Sequence, residues 1–127
     1  EGLTTSPVLR EQKKGAVFLS KVEKVPIVPI SIYGAETAWQ DIFKGIRPRV
    51  YINIGKPFGP FDIKGTKIEK QKKMENIGNE MAVRIASLLP KSRRGEYKDD
   101  SRIGAFQLEN KIKPKETMLS PYYDPLL

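Results

Sequence analysis

The stretch VPIVPISIY, from Val25 to Tyr33, is the most continuous apolar run of this chain, and Gly34 ends it. Apolar, mostly β-branched residues without alternation are typical of a strand that is buried on both faces, as in an α/β sheet. Pro26 suits the start of a strand, whereas Pro29 removes a hydrogen-bond donor from within it. We therefore expect a central strand with a bulge or a one-sided ladder near Pro29.

Segments on both sides of this run show the periods of regular secondary structure. Residues 13–24 carry apolar side chains at three- and four-residue steps, which predicts a short amphipathic helix. Residues 50–54 alternate with a period of two, which predicts a second strand. The predicted apolar face of the helix consists of Ala16, Phe18, Leu19 and Val22.

Residues 36–46, between the two strands, predict a short amphipathic turn or helix. Its apolar positions follow the helical spacing and are Trp39, Ile42, Phe43 and Ile46. We expect Trp39 and Phe43 to pack on the edge of the sheet. The alternative is that this aromatic pair enters the headgroup layer of a membrane.

The clearest helix of the sequence follows Thr66. Thr66 and Glu69 fit the capping box, in which each residue hydrogen-bonds the backbone of the other. Apolar residues then recur at helical spacing until Pro90, which predicts the end of the helix. These residues are Met74, Ile77, Met81, Ile85 and Leu88.

Beyond Pro90 the chain is charged and lacks a clear period. We divide it into residues 1–96, part of an α/β domain, and residues 97–127, a mostly disordered tail. Within that tail, the segments 103–108 and 122–123 are apolar enough to dock on the domain. Two strands and two helices do not close a core, so the expected fold is the C-terminal part of a sheet flanked by helices, an incomplete domain.

The composition excludes several kinds of chemistry. The 127 residues include no cysteine and no histidine, so thiolate nucleophiles, imidazole bases and ligation of a metal by either residue type are absent. The net charge of +8 favours anionic partners. No apolar run approaches the roughly 18 residues that a membrane-spanning helix needs. The densest basic patch comprises Lys91, Arg93, Arg94 and Lys98, which either contacts anionic lipid or forms a solubilising end.

An ordered series of motifs resembles the lysophosphatidic acid acyltransferase family, over roughly residues 1–98. Glu1-Gly2 with the hydroxyl residues that follow is similar to the family's Pro-Glu-Gly-Thr-Arg-Ser block, and Lys13-Lys14-Gly15 to its lysine–glycine helix start. The run from Val25 to Ile30 is similar to its Val-Pro-Ile-Val-Pro-Val strand. Further similarities are the segments Tyr51–Phe58, with its Gly-x-Pro turn, and Leu88–Pro90, followed by Arg94, Gly95 and Tyr97.

The resemblance implies that substrate-binding residues lie at the start of the chain. They are Glu1, Gly2, Thr4, Thr5, Lys13 and Lys14. A polar loop that leads into a helix N-terminus offers free N–H groups to a phosphate, and the two lysines add charge. Thr4 stands where the family usually has an arginine that helps to hold the acceptor's phosphate, which is a departure from the family pattern.

The family also uses a His-x4-Asp motif, whose histidine deprotonates the acceptor hydroxyl. This chain has no histidine. Because it also opens at Glu1 within a motif, we expect it to be a fragment, with the catalytic motif in upstream sequence. We therefore assign no catalytic residue to the chain and expect it to be catalytically silent by itself.

The resemblance implies acyl transfer from acyl-CoA or acyl carrier protein to a lysophospholipid, 1-acylglycerol 3-phosphate, without a metal or other cofactor. The expected location is the cytoplasmic face of a membrane, where the protein contacts an anionic surface peripherally or through an upstream anchor. Two alternatives remain: a small basic nucleic-acid-binding module, and an acyltransferase homologue that binds lipid without turnover. If the chain is part of an acyltransferase, nucleic acid is not an expected partner, since the sequence contains none of the known nucleic-acid recognition patterns.

Overall fold

The computed structural model describes residues 9, 15–35 and 38–116 of the chain. It is a mixed α/β structure with one two-stranded sheet in the described part. In chain order the elements are α1 (Gly15–Glu23), β1 (Ile30–Tyr33), α2 (Ala38–Phe43), β2 (Tyr51–Ile54), α3 (Lys67–Ser87) and α4 (Ile103–Asn110). Two short 3-10 helices, Lys91–Arg93 and Gly95–Tyr97, connect α3 to α4.

Strands β1 and β2 form an antiparallel hairpin that has one buried and one exposed face. The prediction of a strand over residues 25–33 that is buried on both faces is wrong. Only residues 30–33 form the strand, and their side chains alternate between exposed and buried. Ser31 and Tyr33 face the helices, while Ile30 and Ile32 face outwards. The predicted second strand is confirmed as β2.

The long helix α3 confirms the sequence prediction. The side chain of Thr66 accepts a hydrogen bond from the Glu69 N–H, and the Glu69 carboxylate accepts one from the Thr66 N–H. The helix ends at Ser87, shortly before Pro90. Met81 and Leu88 are buried, and three further predicted core residues pack partly buried against the same cluster: Met74, Ile77 and Ile85.

Helix α1 forms where it was predicted, but it buries a different face. Val17 and Ser20 are its buried residues. The predicted apolar face is exposed at all four positions, Ala16, Phe18, Leu19 and Val22. Val17 packs with Phe58 and Met81, and the Ser20 hydroxyl donates a hydrogen bond to the Val25 carbonyl at 2.5 Å. Packing of Val17 on this cluster therefore orients α1, and most of the apolar surface of the helix is left uncovered.

Helix α2 confirms the prediction of a helix but not the packing expected for it. None of its described residues is buried. Trp39 keeps 75% and Phe43 keeps 85% of its accessible surface, so the expectation that this pair packs on the sheet edge is wrong.

The structure also differs from the expected disorder after residue 97. Segment 103–108 was the stretch expected to dock, and it lies within α4, whose Ile103 is buried against Val83 and Ala86 of α3. The described structure thus continues to residue 116, and residues 122–123 lie outside it.

Replacing Thr66 with alanine is expected to lower the free energy of unfolding by about 1 kcal/mol, because one N–H at the start of α3 loses its acceptor. The measurement is a urea unfolding curve, whose midpoint should fall while its slope stays constant. Thr66→Ser keeps the hydroxyl and is the matched control. Equal midpoints for the alanine and serine variants would show that the capping box contributes nothing.

Candidate functional site

All six predicted substrate-binding residues lie outside the described residues. They are Glu1, Gly2, Thr4, Thr5, Lys13 and Lys14. The structure does describe the two points between which the lysine pair lies, Leu9 and Gly15. These two points define where the candidate phosphate-binding segment, residues 10–14, joins the rest of the protein.

Leu9 is attached to the 3-10 helices that follow α3. Its N–H donates a hydrogen bond of 2.8 Å to the Arg93 carbonyl, and its side chain packs against the cluster of Val83, Ala86 and Ile103. Gly95 adopts a positive φ of 59°, and a Cβ there would collide with the Leu9 carbonyl. Glycine at position 95 therefore permits the close approach of Leu9.

The other end of the segment is the start of α1 at Gly15, directly after Lys13 and Lys14. The N–H groups of a first helical turn have no partner within the helix, and this turn carries no acidic residue. Val17 fixes the turn to the core through Phe58 and Met81. Leu9 and the first turn of α1 are thus each fixed by contacts that include residues of α3.

Two of the motifs that carry the family resemblance are hydrogen-bonded to each other. Ile27 and Phe58 exchange both backbone hydrogen bonds, at 2.8 and 2.9 Å, and the Gly55 N–H donates to the Pro29 carbonyl at 2.8 Å. A Cβ on Gly55 would lie 2.8 Å from Cγ of Pro29, so only glycine fits there without movement. Pro29, where a bulge or a one-sided ladder was expected, lies just before β1 and is the point where the Gly-x-Pro turn meets the first strand.

The third motif, Leu88–Pro90, lies beneath the buried face of the hairpin. The Leu88 carbonyl accepts hydrogen bonds from the Ser31 hydroxyl at 2.7 Å and from the Asn53 side-chain amide at 2.9 Å. Because Ser31 and Asn53 face each other across the two strands, one carbonyl group joins both strands to the end of α3. Sequence analysis did not single out this contact.

The basic residues predicted to form a patch within residues 91–98 do not form one exposed surface. Arg93 is buried, with its guanidinium carbon 5.6 Å from the centre of the Tyr33 ring. Arg94 donates from Nε to the carbonyls of Ala86 and Leu89, at 3.1 and 3.0 Å. Burial lowers the pKa of Arg94, and the charge of Glu116 partly opposes this. Arg94 therefore supports the end of α3, and Arg93 is buried beside Tyr33, so neither forms an open anionic-ligand surface.

Arg84 joins α3 to α4 and was not predicted from the sequence. Its guanidinium carbon lies 4.7 Å from the centre of the Phe58 ring and 4.3 Å from that of Phe106. Its Nε donates to Glu80 at 3.0 Å, and a second nitrogen lies 3.5 Å from Glu109. The spacing of Glu80 and Arg84 by four residues was the available sequence signal.

The described acidic group with a shifted pKa does not suit proton abstraction. Hydrogen bonds from the side chain and backbone of Arg102, with its charge, hold the pKa of Asp100 below its usual range. The same hydrogen bonds raise the pKa of Arg102. The lowered pKa makes Asp100 a weaker base than an ordinary carboxylate.

Two open clefts of the described structure are lined by lysines. One, of about 360 Å³, lies along the start of α3 between Lys67, Lys70 and Met74. The other, of about 380 Å³, is bordered by Lys21, Lys24 and residues 60–64. Within residues 9, 15–35 and 38–116 no three acidic side chains are grouped as a metal site would require, and no helix is long and apolar enough to cross a membrane.

Comparison with known proteins finds no relative of this chain. The chain matches no protein-family model, no curated protein and no solved structure.

Proposed function

We propose that this chain is the C-terminal part of a glycerolipid acyltransferase domain of the lysophosphatidic acid acyltransferase type. The observation that carries the proposal is that three of the motifs behind the resemblance form one assembly. The strand motif pairs with the Gly-x-Pro motif through Ile27 and Phe58. The Leu88 carbonyl accepts hydrogen bonds from both strands of the hairpin to which these motifs belong. Leu88 is separated from Ser31 by 57 residues and from Asn53 by 35, so the third motif reaches the other two only through the fold.

A second observation supports the idea that the domain is larger than this chain. The outer face of the hairpin exposes four isoleucines, namely Ile30, Ile32, Ile52 and Ile54. Burying one such side chain stabilises a protein by about 1.5–3 kcal/mol, so a contiguous apolar face of this kind is typically covered. Under the proposal, the layer that covers it belongs to the part of the domain that bears the catalytic histidine.

The proposed reaction joins the acyl group of a thioester to a hydroxyl group of 1-acylglycerol 3-phosphate. A histidine base outside this chain takes the hydroxyl proton, the oxygen attacks the thioester carbonyl, and the thiol leaves after an oxyanion intermediate. This chain contributes binding of the acceptor phosphate by Lys13, Lys14 and the first turn of α1. Lysine near a helix N-terminus is unfavourable by itself, and a bound phosphate offsets that cost.

The test compares two proteins, the 127-residue chain and the same chain extended by its in-frame upstream sequence. We expect the extended protein to contain a His-x4-Asp motif and to transfer a labelled acyl group from acyl-CoA or acyl carrier protein to 1-acylglycerol 3-phosphate. The 127-residue chain should show no transfer above a heat-inactivated control. An upstream sequence without the motif, or transfer by the short chain, would overturn the proposal.

In the extended protein, Lys13→Ala is expected to raise the KM for the acceptor about 10- to 150-fold. This range corresponds to loss of a charged hydrogen bond worth about 1.5–3 kcal/mol. The matched control is Lys21→Ala, which removes a lysine from the last turn of α1. Steady-state kinetics and the melting temperature separate binding from folding. If both variants have the same KM, Lys13 does not bind the phosphate.

A further inference from the structure

Helix α2 and the turn after it present an aromatic and aliphatic surface to solvent. We call this the α2 surface and define it by Trp39, Ile42, Phe43 and Ile46, each more than half exposed. The helix lies in the 17-residue connection between β1 and β2, so it projects from one end of the hairpin.

The backbone holds this surface in a defined shape. The Gly45 N–H donates to the Ile42 carbonyl at 3.0 Å, and the Ile46 N–H donates to the Asp41 carbonyl at 2.7 Å. With Gly45 at a positive φ of 72°, this pair of hydrogen bonds is a Schellman motif, which ends a helix in a fixed turn. The turn directs Ile46 back towards the helix, and the backbone that carries Trp39 and Phe43 has a defined conformation.

The α2 surface differs in chemistry from the exposed face of the hairpin. The four outward positions of the hairpin are all isoleucine, a composition suited to a protein core. The α2 surface contains tryptophan and phenylalanine. Its helix carries one acidic residue, Asp41, and is followed by three cations, Lys44, Arg47 and Arg49. Aromatic side chains beside Lys and Arg are typical of segments that lie in a membrane interface.

We propose that the α2 surface inserts into the interface of an anionic lipid bilayer. Trp39 and Phe43 enter the boundary between headgroups and acyl chains, and Arg47 and Arg49 contact the headgroup phosphates. The long side chains of the arginines allow their charged ends to remain in the headgroup layer. This inference goes beyond acyl transfer and does not depend on it, since an anionic surface attracts such a segment whatever reaction the protein catalyses.

The chain carries its own probe, because Trp39 is its only tryptophan. The experiment adds vesicles of phosphatidylcholine with phosphatidylglycerol, or of phosphatidylcholine alone, to the 127-residue chain at fixed salt. We expect the Trp39 emission to shift to the blue with the anionic vesicles, and brominated acyl chains to quench it. Vesicles of phosphatidylcholine alone should produce a much smaller change.

Two variants and their controls assign the binding to the α2 surface. Phe43→Ala should weaken vesicle binding at least tenfold, whereas Leu108→Ala removes an equally exposed side chain from α4 and should change binding less than twofold. Arg47→Ala with Arg49→Ala should weaken binding about 25-fold, about fivefold per cation. Lys70→Ala with Lys72→Ala makes the same change in net charge on exposed positions of α3 and should have little effect.

Three results would overturn the proposal. The first is an emission maximum that anionic vesicles leave unchanged, and the second is an equal loss of binding in the α3 control variants, which would show unspecific attraction by net charge. The third is a blue shift that appears without lipid and rises with protein concentration, which would assign the α2 surface to a second copy of the chain. Acyl transfer is measured separately, so failure of one proposal does not imply failure of the other.

Discussion

Replacing Leu88 with alanine is expected to lower the free energy of unfolding by about 2–5 kcal/mol. Leu88 is 0% exposed and lies where α3 ends beneath the hairpin. Its Cδ1 atom lies 3.3 Å from the position that a Cβ of Gly55 would occupy, so the side chain fills the space below the Gly-x-Pro turn. The substitution leaves a cavity there. Because the whole free energy of unfolding of a domain is about 5–15 kcal/mol, this loss is a large part of it.

The measurement is urea unfolding of the 127-residue chain, followed by circular dichroism. Leu108→Ala is the matched control, because the same atoms are removed from a side chain that is 81% exposed. The control should shift the stability by less than about 0.5 kcal/mol. Equal effects of the two substitutions would contradict the packing of α3 against the hairpin.

The sequence predicts best those elements whose signal is local. The capping box at Thr66 and Glu69 and the helical spacing that follows specify α3 without reference to the rest of the protein. The alternation after residue 50 specifies β2 in the same way. The helical positions of α1 and α2 are also local and were predicted within a few residues.

The predictions that were wrong concern which face of an element is covered. In α1 the spacing of Leu19 and Val22 predicted that these side chains are buried. The helix instead buries Val17, and Leu19 and Val22 are exposed. An unbroken apolar run cannot show whether both faces of β1 have neighbours within the same chain. Side-chain burial depends on tertiary partners, which are distant in sequence and carry no local signal.

Charged residues show the same limit. Arg93 and Arg94 were predicted to form a surface patch because they lie among other basic residues, yet Arg94 bonds the carbonyls at the end of α3 and Arg93 is buried beside Tyr33. The unpaired carbonyls at a helix C-terminus attract cations, and that attraction explains the position of Arg94. The candidate phosphate-binding residues remain a prediction from the resemblance, since all six lie outside the described residues.

The substitution Ile32→Asp is expected to act differently in the short chain and in the extended protein. Ile32 is 63% exposed at the middle of the outer face of the hairpin. In the 127-residue chain a carboxylate at this position stays in water, so the free energy of unfolding should change by no more than about 1 kcal/mol. In the extended protein the covering layer would enclose the same carboxylate without a partner, at a cost of several kcal/mol.

Ile68→Asp is the matched control, since Ile68 is exposed at the start of α3, where a negative charge is favourable. The two variants are compared by urea midpoint in the short chain and by yield and acyl transfer in the extended protein. We expect the extended protein to lose folded yield with Ile32→Asp and to keep it with Ile68→Asp. If it tolerates both, nothing covers the isoleucine face, and the argument that this chain is part of a larger acyltransferase domain fails. If the short chain itself unfolds with Ile32→Asp, the face is already covered in the chain alone, and the same argument fails.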